Sequence, residues 1–326
     1  MRFFFFFICV IIWKVICMIK DLNQEQRIKD IFLVSSISKG ITNKGTPYFS
    51  LVLQDSSGKI DAKKWDIVDG DENIFREGEL VEVEADVLDY RGKFQLKIIS
   101  GTYVDSKLID PTLYVESAPV ARKVLQDKLF QYVADIKDAD YKRIVDAIVR
   151  ENFMSLTIYP AASKHHHAYA CGLLHHTVSM LDLAKSVAIL YPNINVDLLY
   201  SGVILHDIGK LKELSGPVAT RYTLEGKLIG HTSIAHGMVR EVASKLEITG
   251  EKLTLLEHMV IAHQGKLEFG APMPPAIFEA EVLSMIDDLD AKINAITRAL
   301  DSVKEGEFTP RIMALEDRAF YKYKKD

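Results

Sequence analysis

Cysteine is scarce. Only Cys9, Cys17 and Cys171 occur in 326 residues, an odd number with no Cys-x-x-Cys pair. A disulfide framework and a thiolate zinc site are thereby excluded, and a reducing, cytoplasmic location is expected. Positive charge is not in excess: 40 Lys plus Arg face 45 Asp plus Glu, for a net charge of −5. A generally polybasic protein is excluded, so any nucleic-acid contact must come from a local patch. There is no sustained repeat, and the one low-complexity tract is the N-terminal phenylalanine run. An apolar stretch long enough for a bilayer is also missing. Phe3 to Trp13 gives eleven residues before Lys14, against about twenty for a membrane span. Residues 1–17 also lack a small-residue cleavage site. We read them as a hydrophobic extension ahead of a working start at Met18, with a membrane anchor as the weaker alternative. No stable membrane partner is expected.

What is present suits two domains, each with its own core. Residues 24–104 read as β-rich. Ile31–Val34 is a short apolar run, and Tyr48–Leu53 alternates, with Phe49, Leu51 and Leu53 on one face. Asp55-Ser-Ser-Gly58 is a turn signal before a strand over Lys59–Trp65. Leu80–Val87 and Phe94–Ile99 follow, separated by Arg91-Gly92. Five short strands with Gly turns predict a small barrel. The pattern then becomes helical. Residues 120–153 carry Val124, Leu125, Leu129, Ile144 and Ile148 at helical spacing, and Tyr169 to Arg298 is nearly all helical.

Histidine is concentrated. All ten lie between positions 165 and 263 and none in the barrel. The sharpest string is Ile204-Leu-His206-Asp207-Ile-Gly-Lys210, inside an apolar run from Leu198 to Leu211 that reads as one helix. A buried carboxylate and imidazole there are costly unless something pairs with them. A divalent cation would do so, and Mn²⁺, Fe²⁺, Co²⁺ and Zn²⁺ all suit such donors. On a helix, adjacent positions diverge by about 100°, so Asp207 could lie between two ions while His206 binds one. Lys210, four residues on, would share the His206 face and could set a positive charge beside a phosphate. His176, His231, His263, Asp287 and Asp290 are further candidates on separate segments, as a site built inside a helical bundle requires.

These residues resemble the H…HD…D signature of the HD-domain metal-dependent phosphohydrolases, carried by His176, His206-Asp207 and Asp287. His231 and His263 resemble the two-metal subgroup. The Gly-Tyr-Pro motif of its cyclic-dinucleotide branch is absent, and Gln264 stands where some two-metal relatives have His. The order of domains is more specific. Leu53-Gln-Asp-Ser-Ser-Gly58, Ala62-Lys-Lys-Trp65-Asp66, Leu214-Ser-Gly-Pro217, Tyr222-Thr-Leu-Glu-Gly226, Gly230-His231 and the Phe320-Tyr321 region resemble the YhaM-type 3′→5′ exoribonucleases, from about residue 24 to 323.

The resemblance implies a multidomain chain: a small all-β OB-type barrel followed by an all-α HD-domain helical bundle. Its parts would be the extension 1–17, an OB-fold nucleic-acid-binding domain over 18–104, a helical linker over 105–160 and an HD domain over 161–326. It implies a divalent metal, Mn²⁺ first with Co²⁺ or Fe²⁺ as alternatives, as two ions held by His176, His206, Asp207, His231, His263 and Asp287. Asp290 would orient a ligand from behind. His166 and His167 match a His-His pair that would contact the phosphate or protonate the leaving oxygen. Asp207 and Lys210 complete the expected catalytic set. The 3′→5′ direction comes from the resemblance alone.

The barrel has its own signal. Between Lys39 and Trp65 five lysines face two aspartates, a local charge of +3, interleaved with aromatics. Cations that track a backbone and rings that stack on bases are how such barrels hold single strands. Tyr48, Lys63 and Trp65 are the candidates for binding single-stranded RNA, with single-stranded DNA as an alternative. Two other readings are an HD phosphohydrolase of free nucleotides and a non-catalytic single-strand-binding protein. Exposed bundle faces could also support a homo-oligomer.

Overall fold

The computed structural model describes residues 18–90, 92–105, 111–162, 169–218 and 220–324. The hydrophobic run 1–17 and the candidates His166 and His167 lie outside the described residues. Two compact units divide the chain between Tyr114 and Val115.

The first unit holds five strands: β1 (Arg27–Ile41), β2 (Pro47–Asp55), β3 (Gly58–Lys64), β4 (Leu80–Tyr90) and β5 (Lys93–Val104). They close into a barrel in the order β1-β2-β3-β5-β4. Alternation drives the closure. Phe49, Leu51 and Leu53 of β2 and Val81, Val83, Ala85 and Val87 of β4 turn inward and are buried. β1 is far longer than Ile31–Val34 because it serves two partners. Residues 27–33 pair with β4 and residues 33–41 with β2, with a bulge between Val34 and Ser36 where the strand changes partner. β3 and β5 pair in parallel, so no edge is left open. The β2–β3 turn is pinned by Asp55, whose Oδ1 accepts from Ser57 N, Ser57 Oγ and Gly58 N at 2.7, 2.7 and 3.0 Å. One short helix, α1 (Asp71–Ile74), bridges β3 and β4.

The second unit is helical: α2 (Arg122–Asp135), α3 (Ala139–Leu156), α4 (Gly172–Leu190), α5 (Val196–Leu205), α6 (Lys210–Glu213), α7 (Leu224–Leu228), α8 (His231–Lys245), α9 (Glu251–Ala262) and α10 (Phe278–Asp301). The α2–α3 pair, set apart in sequence as a connector, sends Leu125, Leu129, Ile144 and Ile148 into the same apolar core as the later helices. α5 is central: every residue from Leu198 to Leu205 is buried. A helix apolar all round belongs inside, and its C-terminal end therefore delivers His206 and Asp207 to the interior. After α10, antiparallel bridges Phe308–Tyr321 and Ile312–Arg318 fold the chain into a strap, with a 3₁₀ turn at Met313–Leu315. Among the described residues, no helix is long and apolar enough to cross a membrane.

Candidate active site

The His206-Asp207 string is not mid-helix. α5 ends at Leu205, residues 206–209 form a tight turn, and α6 begins at Lys210. The expected continuous helix over Leu198–Leu211 is thus broken, and Lys210 reaches Asp207 across the turn. The turn packs closely against α8 through a glycine. A Cβ on Gly209 would stand 2.8 Å from Ala235 N and closer still to the His231 carbonyl oxygen. Only glycine lets the start of α8 lie against this turn, and that start carries His231.

Four imidazoles from four segments converge here: His176 on α4, His206 after α5, His231 opening α8 and His263 after α9. Each ring has its Nδ1 engaged from behind. His206 Nδ1 donates to Val203 O at 2.8 Å and His263 Nδ1 to Val260 O at 2.7 Å. His176 Nδ1 lies 2.7 Å from Asp290 Oδ2, and His231 Nδ1 lies 3.1 Å from Glu213 Oε1. A carbonyl or carboxylate can only accept, so all four rings carry the proton on Nδ1. All four Nε2 atoms are left to face the site, the arrangement that suits metal ligation.

Asp207 lies between them. Its Oδ2 is 3.4 Å from His206 Nε2 and 3.9 Å from His176 Nε2. Its Oδ1 is 3.4 Å from His231 Nε2 and 3.8 Å from His263 Nε2. Among the described residues two ligand groups result, His176–His206–Asp207 and Asp207–His231–His263, each with donor atoms within 4.8 Å of one another. Asp287 belongs to neither group by that distance, although its Oδ1 lies 3.2 Å from His176 Nε2.

The residues fit a divalent cation. His206 is fully buried, and among the described residues its Nε2 has no hydrogen-bond partner. An orphaned acceptor of this kind is costly unless a ligand completes it. The electrostatics agree. Burial works to lower the His176 pKa, but the Asp287 and Asp290 carboxylates on either side outweigh it and raise it to about 9. At His263 burial and the neighbouring His206 imidazole outweigh the Asp207 and Asp287 carboxylates and lower the pKa to about 4. Burial opposes ionisation of Asp207, yet Lys210 and the imidazoles hold its carboxyl well below the usual range. Lys210 Nζ sits 2.6 Å from Asp207 Oδ2 and lines a cleft of about 850 Å³ together with His231, His263, Gln264 and Asp287.

Glu213 went unread in the sequence. It is buried, accepts from both the His231 backbone N–H (3.0 Å) and its ring, and is backed by Gly226, where a Cβ would fall 2.8 Å from Glu213 Cγ. A glutamate among leucines and lysines gives no sign of this in sequence. Gln264 also enters the site, its Nε2 3.4 Å from His231 Nε2. Removing the support behind a ligand should be felt in ion binding. Asp290→Ala is expected to weaken divalent-cation affinity by about 10- to 100-fold, measured by calorimetric titration with Mn²⁺; unchanged affinity would deny Asp290 an orienting role.

On the barrel, Tyr48, Lys63 and Trp65 converge on the outer face of β2 and β3. The Tyr48 and Trp65 rings lie 4.8 Å apart, and Lys63 Nζ is 5.0 Å from the Tyr48 centroid and 2.8 Å from Ser50 Oγ. Trp65 follows the last β3 residue and is 39 % exposed. The Tyr48 ring lies over Gly40, where a Cβ would be 2.5 Å from the ring. Gly40, another residue that sequence reasoning missed, thus keeps the tyrosine in place.

Comparison with known protein families matches part of the helical unit. The family model described as "HD domain" matches residues 173–292, and one described as "Putative helicase" matches residues 114–191. A 3′-5′ exoribonuclease YhaM from Geobacillus sp. (strain WCH70) is 46 % identical over 295 residues, covering 90 % of this chain and 91 % of that protein. The 3′-5′ exoribonuclease YhaM of Bacillus subtilis (strain 168) is 44 % identical over 298 residues, covering 91 % and 95 %. Among solved structures, the second OB-fold domain of replication protein A from Methanococcus maripaludis is similar to 27 % of this chain and 92 % of its own, at 17 % identity and a TM-score of 0.23.

Proposed function

The chain belongs to the YhaM family of 3′-5′ exoribonucleases, and from that premise we propose that it is a metal-dependent enzyme that shortens single-stranded RNA from its 3′ end, releasing nucleoside monophosphates. One observation carries the chemistry: a single buried carboxylate, Asp207, turns one oxygen toward each of two histidine pairs. The proposed ligands are His176, His206, Asp207 and Asp287 for one divalent ion and Asp207, His231 and His263 for a second, with Mn²⁺ the first choice. Bound there, such ions supply a water of lowered pKa and neutralise charge on the phosphate.

The remaining work falls to the chain's own groups. Burial and Asp207 fix the Lys210 ammonium at the cleft wall, where it would meet the developing charge of the phosphate without reorganising. His166 and His167 remain proposed contacts to phosphate or leaving oxygen. In the same proposal the barrel holds the strand, and the helical unit, into whose core α2 and α3 pack, cuts its end. Degradation of a 5′-labelled oligoribonucleotide with Mn²⁺ tests the reading. A ladder shortening from the unlabelled end, abolished by chelator, is expected. Internal cuts or activity indifferent to chelator would overturn it.

The barrel's part is tested separately. Stacking is worth about 1–3 kcal/mol per base, so Trp65→Ala is expected to weaken binding of a single-stranded RNA about tenfold or more. Lys63→Ala should lower the salt dependence of binding by about one counterion. Fluorescence anisotropy across a salt series reads both. Affinity and slope unchanged in both variants would place the strand elsewhere on the protein.

A further inference from the structure

Beside the metal cleft lies a second cavity that the chemistry above does not use. It has a volume of about 680 Å³ and runs between α10 and the C-terminal strap. Its floor is apolar, from Ala291, Ala295, Ile312 and Leu315. It is continuous with the catalytic cleft: Asp288, Ala291, Lys292, Met313 and Ala314 line both. The helix sets the spacing. Ala291 and Ala295 follow Asp287 by one and two turns on the same face, about 6 and 12 Å along the axis at 1.5 Å per residue. Alanines there leave room where a larger side chain would fill the groove.

We infer that this groove is the subsite for the base of the 3′-terminal nucleotide, the one released in each cycle. The inference rests on the exonuclease reading and deepens it. An apolar slot that shares a wall with the metal cleft, one to two helical turns from Asp287, suits a flat heterocycle attached to a phosphate held in that cleft. An enzyme that removes one nucleotide at a time needs a seat for that nucleotide whatever its base. Alanine, isoleucine and leucine give apolar contact to the face of any base, while Asp288, Lys292 and Arg298 also line the cavity. Met313, 85 % exposed on the ridge shared by both cavities, supplies a polarisable thioether that can close against a ring. The chemistry that recognises the substrate here is therefore apolar contact with the face of the base, with the strap as one jaw.

The test compares two 5′-labelled oligoribonucleotides with Mn²⁺, one intact and one lacking only its 3′-terminal base. The parent is expected to remove the intact terminal nucleotide with a KM about tenfold below that for the abasic end, the effect of burying one face of a base against apolar side chains. Ala295→Leu, which adds bulk to the groove, should raise KM for the intact substrate to the abasic value. Met313→Ala is so exposed that it cannot disturb folding, and it should raise KM for the intact substrate about threefold. Equal KM for both substrates in the parent, or parental KM for the intact substrate in both variants, overturns the inference while leaving the exonuclease reading intact. A parent that shortens neither substrate refutes the exonuclease reading itself and this inference with it.

Discussion

Asp207→Asn is expected to lower the rate of RNA shortening by about three orders of magnitude or more, since several kcal/mol of transition-state stabilisation depend on the bound cations. The substitution keeps shape and removes charge. In the native site each carboxylate oxygen serves a different histidine pair, at 3.4 Å from the nearer ring on both sides. An amide offers one oxygen and one N–H₂, so at least one ligand group loses its anionic member and gains a donor aimed at the remaining donors. The bound metal in the purified protein should fall in step with activity. Lys210 is then left buried beside a neutral group, with Asp287 and Glu213 as the remaining acids near it. Removing one partner of a buried pair costs about 3–5 kcal/mol, so urea unfolding should show a loss of that order, with the folded state still populated. A variant that retains both its metal and its ladder would deny Asp207 the shared position.

Much of this was legible before any coordinates. Period-two alternation in β2 groups Phe49, Leu51 and Leu53 on one face and Tyr48 on the other, but which face is the inner one is decided only by the barrel's closure. On β3 the structure turns Lys63 outward, with Trp65 two residues on. The histidines stood out because burying an imidazole or a carboxylate demands a partner, whatever the fold. Other features left no trace. β1 was under-read since its second half, Ser35–Ile41, is polar and follows a bulge. α1 is a single turn, too short for any period. The turn at 206–209 reads as helix in sequence because the apolar run Leu198–Leu211 continues through it, and its backbone does stay in the right-handed helical region, with φ −54° at His206 and −63° at Gly209. Local propensity does not register a contact with another helix, such as the one α8 makes at Gly209. Glu213 and Gly226 were invisible for a similar reason: their roles come from contacts with His231 and with each other, far apart in the chain.

Gly209→Ala should have the second large effect, and it isolates that tertiary constraint. Gly209 has ordinary helical dihedrals, so an alanine there meets no backbone strain and would, in an isolated helix, be favourable. The cost is entirely contact. The added methyl falls against backbone atoms of His231 and Ala235, and backbone cannot rotate away as a side chain would. Forced overpacking in a rigid interior costs about 1–3 kcal/mol or more, and relief requires α8 to back off from the turn. That movement withdraws His231, whose Nε2 stands 3.4 Å from Asp207 Oδ1, while His176 and His206 sit on other elements. Calorimetric titration should therefore show the weaker of two Mn²⁺ binding events lost and the tighter retained, with RNA shortening reduced at least tenfold. Gly237→Ala is the matched control. It lies on the exposed face of the same helix with nothing within 4 Å of its would-be Cβ. It should be neutral or stabilising by up to about 1 kcal/mol, with full activity. Equal behaviour of the two variants would mean that the approach of α8 to the turn does not hold the site together.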